Sequence, residues 1–264
     1  MKRQMSLHIL RKDERGIFMT TVFLAGGFGK MGVAIQNMLA EQADLTLVGI
    51  LGRTPHEATV SVFTELDEID VTADVWVDVT LPESAFDNAT YALSHGFDLV
   101  VGTSGLAADQ VSQLRHLAEK YARHAIIVPN FSLSAVLLMQ FAEKAAQYFP
   151  DAEVLEIHNP NKVDSPSGTA RATASRIAAA RKAKPVTQYR ADAARGEAID
   201  QVPVHAMRLP GYVAEEEVIF GAPGETLRLK QTSFTRESFM GGVALAIRNV
   251  TQVDGLAVGL DQLL

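Results

Sequence analysis

The 264-residue sequence contains no cysteine, which excludes a disulfide framework, a thiolate metal site and a cysteine nucleophile. It also has no long basic run, and its 24 Lys and Arg against 31 Asp and Glu give a net charge of −7. Nucleic acid and anionic membranes are therefore not expected partners. Residues 1–18 are charged and lack the apolar core of an export signal or a membrane span. We expect a cytoplasmic protein whose residues 1–18 form a disordered extension without a chemical role.

Short apolar runs alternate with helical patterns from Thr20 onward, which is typical of a parallel sheet buried on both faces. The predicted strands are 20–25, 45–51, 75–79, 99–101 and 125–128. The predicted helices are 32–43, 82–96 and 107–124. The fold class is therefore α/β, and 264 residues at 47% hydrophobic content suffice for one or two domains.

The pattern changes after Pro129 and indicates a second, α+β region. Long helices are predicted over 132–149 and 170–180, on either side of a strand at 152–158. Longer strands follow at 204–209, 217–221 and 226–235, with a turn at 221–224, and they predict an antiparallel or mixed sheet.

Three glycines, Gly26, Gly29 and Gly32, are spaced three residues apart between the first strand and the first helix. Glycine permits a tight turn and lets the backbone approach a pyrophosphate, which then rests on the helix N-terminus. The alternative is an ordinary glycine-rich turn, but the strand-turn-helix context favours dinucleotide binding. The cofactor-binding candidates of this turn are Gly26, Gly27, Phe28, Gly29, Lys30 and Met31.

The second strand ends at Gly52-Arg53, where a carboxylate would select NAD by binding its ribose. Arginine instead pairs with a 2′-phosphate, so we expect NADPH to bind at least as well as NADH. The alternative for Arg53 is a solvated loop residue.

Polar runs also follow three later strands, at 78–80, 102–105 and 128–132. Ligands of open α/β sheets bind at the carboxyl ends of the strands, so these runs should cluster around the nicotinamide. Alternatively, Thr80 and Ser132 are helix caps. The further cofactor-binding candidates are Thr80, Gly102, Thr103, Ser104, Val128, Pro129, Asn130 and Phe131.

The run from His158 to Ala170 brings together a proton carrier, an ammonium group and a turn before an alanine-rich helix. Imidazole exchanges protons near neutral pH because its ordinary pKa is about 6.5. Backbone N–H groups at a helix start favour a carboxylate or phosphate ligand. The alternative to a functional site is that Ser167 or Thr169 only caps the helix and that Lys162 is exposed to solvent. The catalytic candidates are His158 and Lys162, the substrate-binding candidates include Lys162, Ser167, Gly168 and Thr169, and no metal ligand is expected.

This run, with Glu156 and Asp164 and together with the glycine-rich turn, resembles the dihydrodipicolinate reductase family of bacterial lysine biosynthesis from Met19 to the C-terminus. The resemblance implies a Rossmann-type doubly wound sheet over 19–130, completed by 241–264, and a substrate-binding and oligomerisation domain with an open mixed sheet over 131–240. It implies a homotetramer that uses NADPH or NADH. The implied reaction reduces 4-hydroxy-tetrahydrodipicolinate, a cyclic dicarboxylate, to tetrahydrodipicolinate in the diaminopimelate and lysine pathway.

One departure from the family pattern matters most, since Asn159 stands where the family has a second histidine; Ser104 and Val79 are mild departures. An amide keeps a donor for a carboxylate but cannot become positively charged, and the resemblance makes Asn159 a substrate contact. We expect Glu156, Asp164 and His205 to be structural, the first two orienting the loop or pairing with a nearby base.

Two other functions stay open. The first is a related amino-acid or imino-acid dehydrogenase with an acyclic substrate, against which the intact turn at 166–169 argues. The second is a non-catalytic NADP-binding homologue, for which Asn159 is the hint.

Overall fold

The structure, a computed structural model, describes residues 11–12, 18–186, 189 and 193–264. The chain divides into two compact units, one running to Pro129 and completed by Gly242–Leu264, the other comprising Asn130–Gly241. Most of the expected N-terminal extension lies outside the described residues. Within it, Arg11–Lys12 pairs antiparallel with Phe18–Met19.

The first unit alternates strands and helices, as the apolar runs predict. Its strands are β1 (Arg11–Lys12), β2 (Phe18–Ala25), β3 (Leu45–Leu51), β4 (Ser61–Phe63), β5 (Val75–Asp78), β6 (Asp98–Val101) and β7 (Ala125–Ile127). Its helices are α1 (Lys30–Glu41), α2 (Pro82–Ser94) and α3 (Ala108–Tyr121). Helix α2 begins at Pro82 as predicted, because proline fixes φ and lacks an N–H that the first helical position could not bond anyway.

The second unit follows, and the chain then returns to the first. The next elements are α4 (Leu133–Ala146), β8 (Asp151–His158), α5 (Gly168–Ala180), β9 (Glu197–Ile199), β10 (Val202–Arg208), β11 (Ala214–Ala222), β12 (Glu225–Ser233), α6 (Met240–Asn249) and β13 (Leu256–Val258). Short 3₁₀ turns occupy Leu66–Glu68, Ala193–Arg195, Arg236–Phe239, Val250–Gln252 and Leu260–Leu263. Within the described part of the chain, no helix has the length and apolar character needed to cross a membrane.

The first sheet has the strand order β13-β7-β6-β5-β2-β3-β4, with every pair along this path parallel and β1 added antiparallel to β2. Its core is aromatic: Phe23 and Trp76 are fully buried, and their rings stack with centroids 4.4 Å apart. Burial on both faces explains the nearly continuous apolar runs. The Rossmann-type fold is confirmed, whereas the three-residue strands β4 and β13 were not predicted.

The second sheet has the order β12-β11-β8-β10-β9 and is mixed, because β8 and β10 are parallel and the other pairs are antiparallel. Helices α4 and α5 cover one face, where Val154, Val218 and Phe220 pack against Ala142 and Ile177. Side chains alternate between the two faces along each strand, so every second residue of these strands points away from the helices.

Candidate active site

A cleft of about 680 Å³ lies in the first unit at the carboxyl ends of β2, β3 and β5. The strand order changes direction at β2, which has β3 on one side and β5 on the other, and open α/β sheets bind ligands at such a point. The lining residues that the sequence predicts are Gly26, Phe28, Gly29, Arg53 and Thr80. The other lining residues are Leu51, Gly52, Thr54, His56, Thr64, Glu65, Leu66, Val79, Leu81, Glu83, Ser84, Asp87 and Asn88.

The glycine-rich turn has room for glycine alone at two positions. Gly26 has φ +83°, and a Cβ there would lie 2.7 Å from the Val79 carbonyl oxygen. A Cβ on Gly32 would lie 2.2 Å from the Gly26 carbonyl oxygen, so the first turn of α1 packs directly on the strand end. This arrangement leaves backbone N–H groups at the start of α1 open to an anion, and it fits the pyrophosphate of a dinucleotide.

Two side-chain pairs lie at the mouth of the cleft. The rings of Phe28 and His56 stack with centroids 4.0 Å apart. Arg53 Nη2 lies 3.3 Å from Glu83 Oε1, and the side chains are 74% and 68% exposed. An ion pair that exposed is weak, so a 2′-phosphate can compete with Glu83 for the guanidinium.

Asp78 organises the strand ends beside the cleft. It is fully buried, and its carboxylate accepts hydrogen bonds from Thr80 Oγ1 (2.7 Å), Thr103 Oγ1 (2.8 Å) and Asn88 Nδ2 (2.9 Å). One buried carboxylate therefore joins the loops after β5 and β6 to α2. The reading of Thr80 as a helix cap is wrong, because Leu81 occupies the cap position.

The remaining cofactor candidates lie outside the lining of the cleft. They are Gly27, Lys30, Met31, Gly102, Thr103, Ser104, Val128 and Pro129 in the first unit, and Asn130 and Phe131 in the second. Asn130 Nδ2 donates to Thr169 Oγ1 (3.2 Å), which places this side chain beside the predicted substrate turn. Ser132 caps α4 by accepting from the Ala135 N–H (3.3 Å), which confirms the capping interpretation.

His158 ends β8 and is held by a buried carboxylate. Its Nδ1 lies 2.5 Å from Glu156 Oε2, and Glu156 is fully buried. Arg208 Nη1 and Nη2 each donate to Glu156 at 2.9 Å, and the Ser167 N–H donates at 3.0 Å. Burial raises the pKa of Glu156, but the hydrogen bonds from His158, Arg208 and Ser167 outweigh it, so the pKa lies below the ordinary value. The ionised carboxylate fixes an N–H on Nδ1, which leaves Nε2 as the nitrogen that can exchange a proton with a ligand.

Arg208 is a site residue that the sequence analysis missed. Besides its two bonds to Glu156, it donates to the carbonyl oxygens of Asp164 (2.7 Å) and Lys162 (3.4 Å). It therefore ties the loop that carries Lys162 to the carboxylate that holds His158. The available signal was its place at the end of a strand, on the apolar face that points to the helices.

Lys162 is paired within its own loop, with Nζ 2.8 Å from Asp164 Oδ1. The hydrogen bond from Lys162 lowers the pKa of the Asp164 carboxyl despite some burial. Asn159 Oδ1 accepts from the Asn161 N–H (3.0 Å) and shapes the preceding turn. The expectation that Glu156 and Asp164 orient the loop or pair with a base is confirmed.

At the start of α5, both the side chain and the backbone N–H of Ser167 form hydrogen bonds within the protein. Its Oγ accepts from the Ala170 N–H (3.2 Å), so the helix-cap interpretation is confirmed. Its own N–H, predicted to bind a substrate carboxylate, is already donated to Glu156. Gly168 and Thr169 are the other residues of this predicted anion-binding turn.

His205, which we expect to be structural, has its Nε2 2.8 Å from Glu153 Oε2 on the sheet face away from the helices. Across the described ranges, no group of three or more His, Asp or Glu side chains could hold a metal ion.

Comparison with known proteins finds a family that matches both units of the chain. Residues 20–131 match the family model of the dihydrodipicolinate reductase N-terminus, and residues 134–264 match that of its C-terminus. The 4-hydroxy-tetrahydrodipicolinate reductase of Lactiplantibacillus plantarum is 44% identical over 93% of this chain and 100% of the relative. That of Enterococcus faecalis is 45% identical over the same shares of both chains.

A solved structure, the dipicolinate-bound dihydrodipicolinate reductase from Paenisporosarcina sp. TG-14, superposes with a TM-score of 0.84 at 35% identity, covering 94% of this chain and 100% of that one. The two family models together cover almost all of the sequence from residue 20 onward. The chain therefore belongs to the dihydrodipicolinate reductase family, whose members are NAD(P)H-dependent oxidoreductases.

Proposed function

We propose that this enzyme reduces 4-hydroxy-tetrahydrodipicolinate to tetrahydrodipicolinate with NADPH or NADH, within the diaminopimelate and lysine pathway. The observation that carries the proposal is the His158–Glu156 pair at the end of β8, beside the start of α5 and the loop of Lys162. It joins a proton carrier to a turn suited to a carboxylate, which a cyclic dicarboxylate substrate requires.

The nicotinamide cofactor, when bound, supplies the hydride. The residues that would hold it are those of the glycine-rich turn and the mouth of the cleft. The backbone at Gly26–Gly29 and the start of α1 would bind the pyrophosphate, and Arg53 the 2′-phosphate of NADPH.

His158 would deliver the proton that the ring carbon next to the reduced one requires. Glu156 fixes its Nδ1, so the transferable proton resides on Nε2, and the same carboxylate stabilises the imidazolium before transfer. Lys162 would stabilise negative charge on the substrate and bind one carboxylate, exchanging its contact with Asp164 for that ligand. Asn159, Gly168 and Thr169 would complete the substrate contacts, with Ser167 contributing through its place in the turn.

The test of this function is a coupled assay. The full chain is mixed with a dihydrodipicolinate synthase that supplies the substrate, and oxidation of NADPH is followed. Oxidation that depends on the synthase is expected. An acyclic imino-acid dehydrogenase would show no such dependence, and a non-catalytic homologue would bind NADPH without oxidising it.

His158→Gln tests the catalytic assignment, because glutamine keeps approximate size but cannot transfer a proton at neutral pH. We expect kcat to fall by about 10²- to 10⁴-fold with NADPH affinity nearly unchanged. His205→Gln is the matched control, since His205 also bonds a glutamate but on the other face of the sheet. Near-normal turnover by His158→Gln would remove the proposed proton donor.

We further propose a cytoplasmic homotetramer. The face of the second sheet opposite α4 and α5 carries the partly exposed apolar residues Leu155, Met207 and Ile219, which support an intersubunit contact there. Lack of cysteine suits a reducing compartment. Sedimentation of the full chain at micromolar concentration is expected to give a tetramer, and a monomer would contradict the assembly.

A further inference from the structure

Glu216 is a buried carboxyl group that the proposed reaction does not use. It lies in β11 on the face towards α5 and is 2% exposed. Its chain neighbours point to the opposite face, where each carboxylate meets a cation: Glu215 Oε1 lies 2.7 Å from Lys230 Nζ, and Glu217 Oε1 lies 3.0 Å from Arg228 Nη1. Within the described part of the chain, Glu216 has no ion-pair partner.

The hydrogen bonds around Thr173 indicate the protonation state of Glu216. Thr173 Oγ1 lies 2.5 Å from Glu216 Oε1 and 3.0 Å from the Thr169 carbonyl oxygen. A threonine hydroxyl has one proton to donate, so an ionised Glu216 would compete with the carbonyl for it. A protonated Glu216 instead donates to the Thr173 oxygen, and the Thr173 proton goes to Thr169. Both contacts are then satisfied without competition.

The surroundings favour the same neutral form. Burial raises the pKa of Glu216, the Thr173 hydroxyl lowers it, and the Glu156 carboxylate across the β8–β11 pair raises it, which together bring the pKa to about 7. Arg208 of β10 is bonded to Glu156, as is His158 of β8. The neighbours on β12 and α4 are uncharged, namely Gln231 and Ser134, which bond each other at 3.3 Å.

The consequence concerns the first turn of α5. The chain of contacts from Glu216 through Thr173 ends on the carbonyl of Thr169, in the turn that would bind a substrate carboxylate. We propose that Glu216 is a positioning residue that acts as a neutral carboxylic acid, holding this turn, and that its ionisation at alkaline pH weakens dicarboxylate binding. The inference rests on the proposed function, because it assumes the dicarboxylate binds at this turn.

The experiment measures affinity for dipicolinate, the dicarboxylate bound in the related solved structure, by calorimetry from pH 6 to about pH 9. The full chain is compared with Glu216→Gln, which is neutral at every pH. Glu217→Gln, the next residue but on the opposite face, is the control. The wild type and the control should lose roughly tenfold more affinity than Glu216→Gln, the order of effect of one hydrogen bond that holds the turn.

Three outcomes are distinguished. A smaller alkaline loss in Glu216→Gln than in the control supports the positioning role. Superimposable profiles, in protein that turns over substrate, overturn it and leave the proposed function intact. A wild type that neither binds dipicolinate nor oxidises NADPH in the coupled assay overturns the proposed function itself.

A second variant covers the case in which Glu216→Gln does not fold. Thr173→Val breaks the contact chain between Glu216 and Thr169, so affinity should already be lower at pH 6 and its alkaline loss should be smaller than in the wild type. A Thr173→Val profile identical to that of the wild type would contradict the contact chain.

Discussion

Glu156→Gln should destabilise the protein far more than Glu153→Gln, although both residues lie on β8 and each binds one arginine and one histidine. Glu156 is fully buried and accepts four hydrogen bonds, whereas the Glu153 side chain is 37% exposed and binds Arg195 and His205 on the other face. The two sites therefore present the same chemistry at different burial.

The magnitude follows from the hydrogen bonds that glutamine cannot make. Each oxygen of Glu156 accepts two, and the amide NH₂ of glutamine replaces one oxygen with a donor. Two bonds to a charged acceptor are lost, each worth about 1.5–3 kcal/mol, and Arg208 is left without its buried counter-charge. We expect a loss of about 3–5 kcal/mol in the free energy of unfolding, against about 0–1 kcal/mol for Glu153→Gln.

Urea unfolding at pH 7 measures both variants, and kcat is measured on the folded fraction. Because Glu156 orients His158, kcat of Glu156→Gln should also fall, by up to about 10²-fold, while Glu153→Gln keeps its turnover. Equal losses of unfolding free energy in the two variants would refute the argument that burial makes Glu156 the anchor of the site.

Three further outcomes are expected. Arg53→Ala should raise KM for NADPH about 10- to 100-fold more than KM for NADH, because only the 2′-phosphate loses a charged partner; equal changes would remove this assignment. The stabilisation contributed by Glu216 should fall as pH rises, since its raised pKa, about 7 against an ordinary 4.5, makes the folded state retain a proton that the unfolded chain releases. The stabilisation is fully present below about pH 4.5 and is lost as pH rises through about 7, by roughly 2–4 kcal/mol, and urea titrations should show no such loss in Glu216→Gln. Gly32→Ala should destabilise the first unit and weaken NADPH binding, because its Cβ would meet the Gly26 carbonyl at 2.2 Å, whereas Gly221→Ala, with open space around it, should behave as wild type in calorimetric NADPH titration.

The sequence predicts those elements whose local pattern and tertiary environment agree. The run Leu45–Leu51 is β3 at the predicted bounds, because a long β-branched and apolar stretch is stable only as a buried strand. In contrast, Ser61–Phe63 and Leu256–Val258 are too short to show a period, and they become strands because β3 and β7 offer free edges.

The sequence does not predict the buried polar side chains or their hydrogen-bond partners. Glu215, Glu216 and Glu217 are three identical residues in a row. The local sequence therefore does not show that Glu216 alone is buried against a helix. Arg208 likewise resembles a strand-end surface residue until β10 is paired with β8. The alternative of Thr80 as a helix cap fails because Leu81 occupies the cap position and the Thr80 hydroxyl donates to Asp78.

The single tryptophan gives the first unit an intrinsic fluorescence signal of its own. Trp76 is fully buried on Phe23 in the first unit, on the strand that ends at Asp78. Intrinsic fluorescence excited at the indole therefore reports the state of the nucleotide-binding half alone, and the substrate half unfolds unseen by it. Comparing that emission with circular dichroism, to which both halves contribute, tells whether the two units melt together or in sequence.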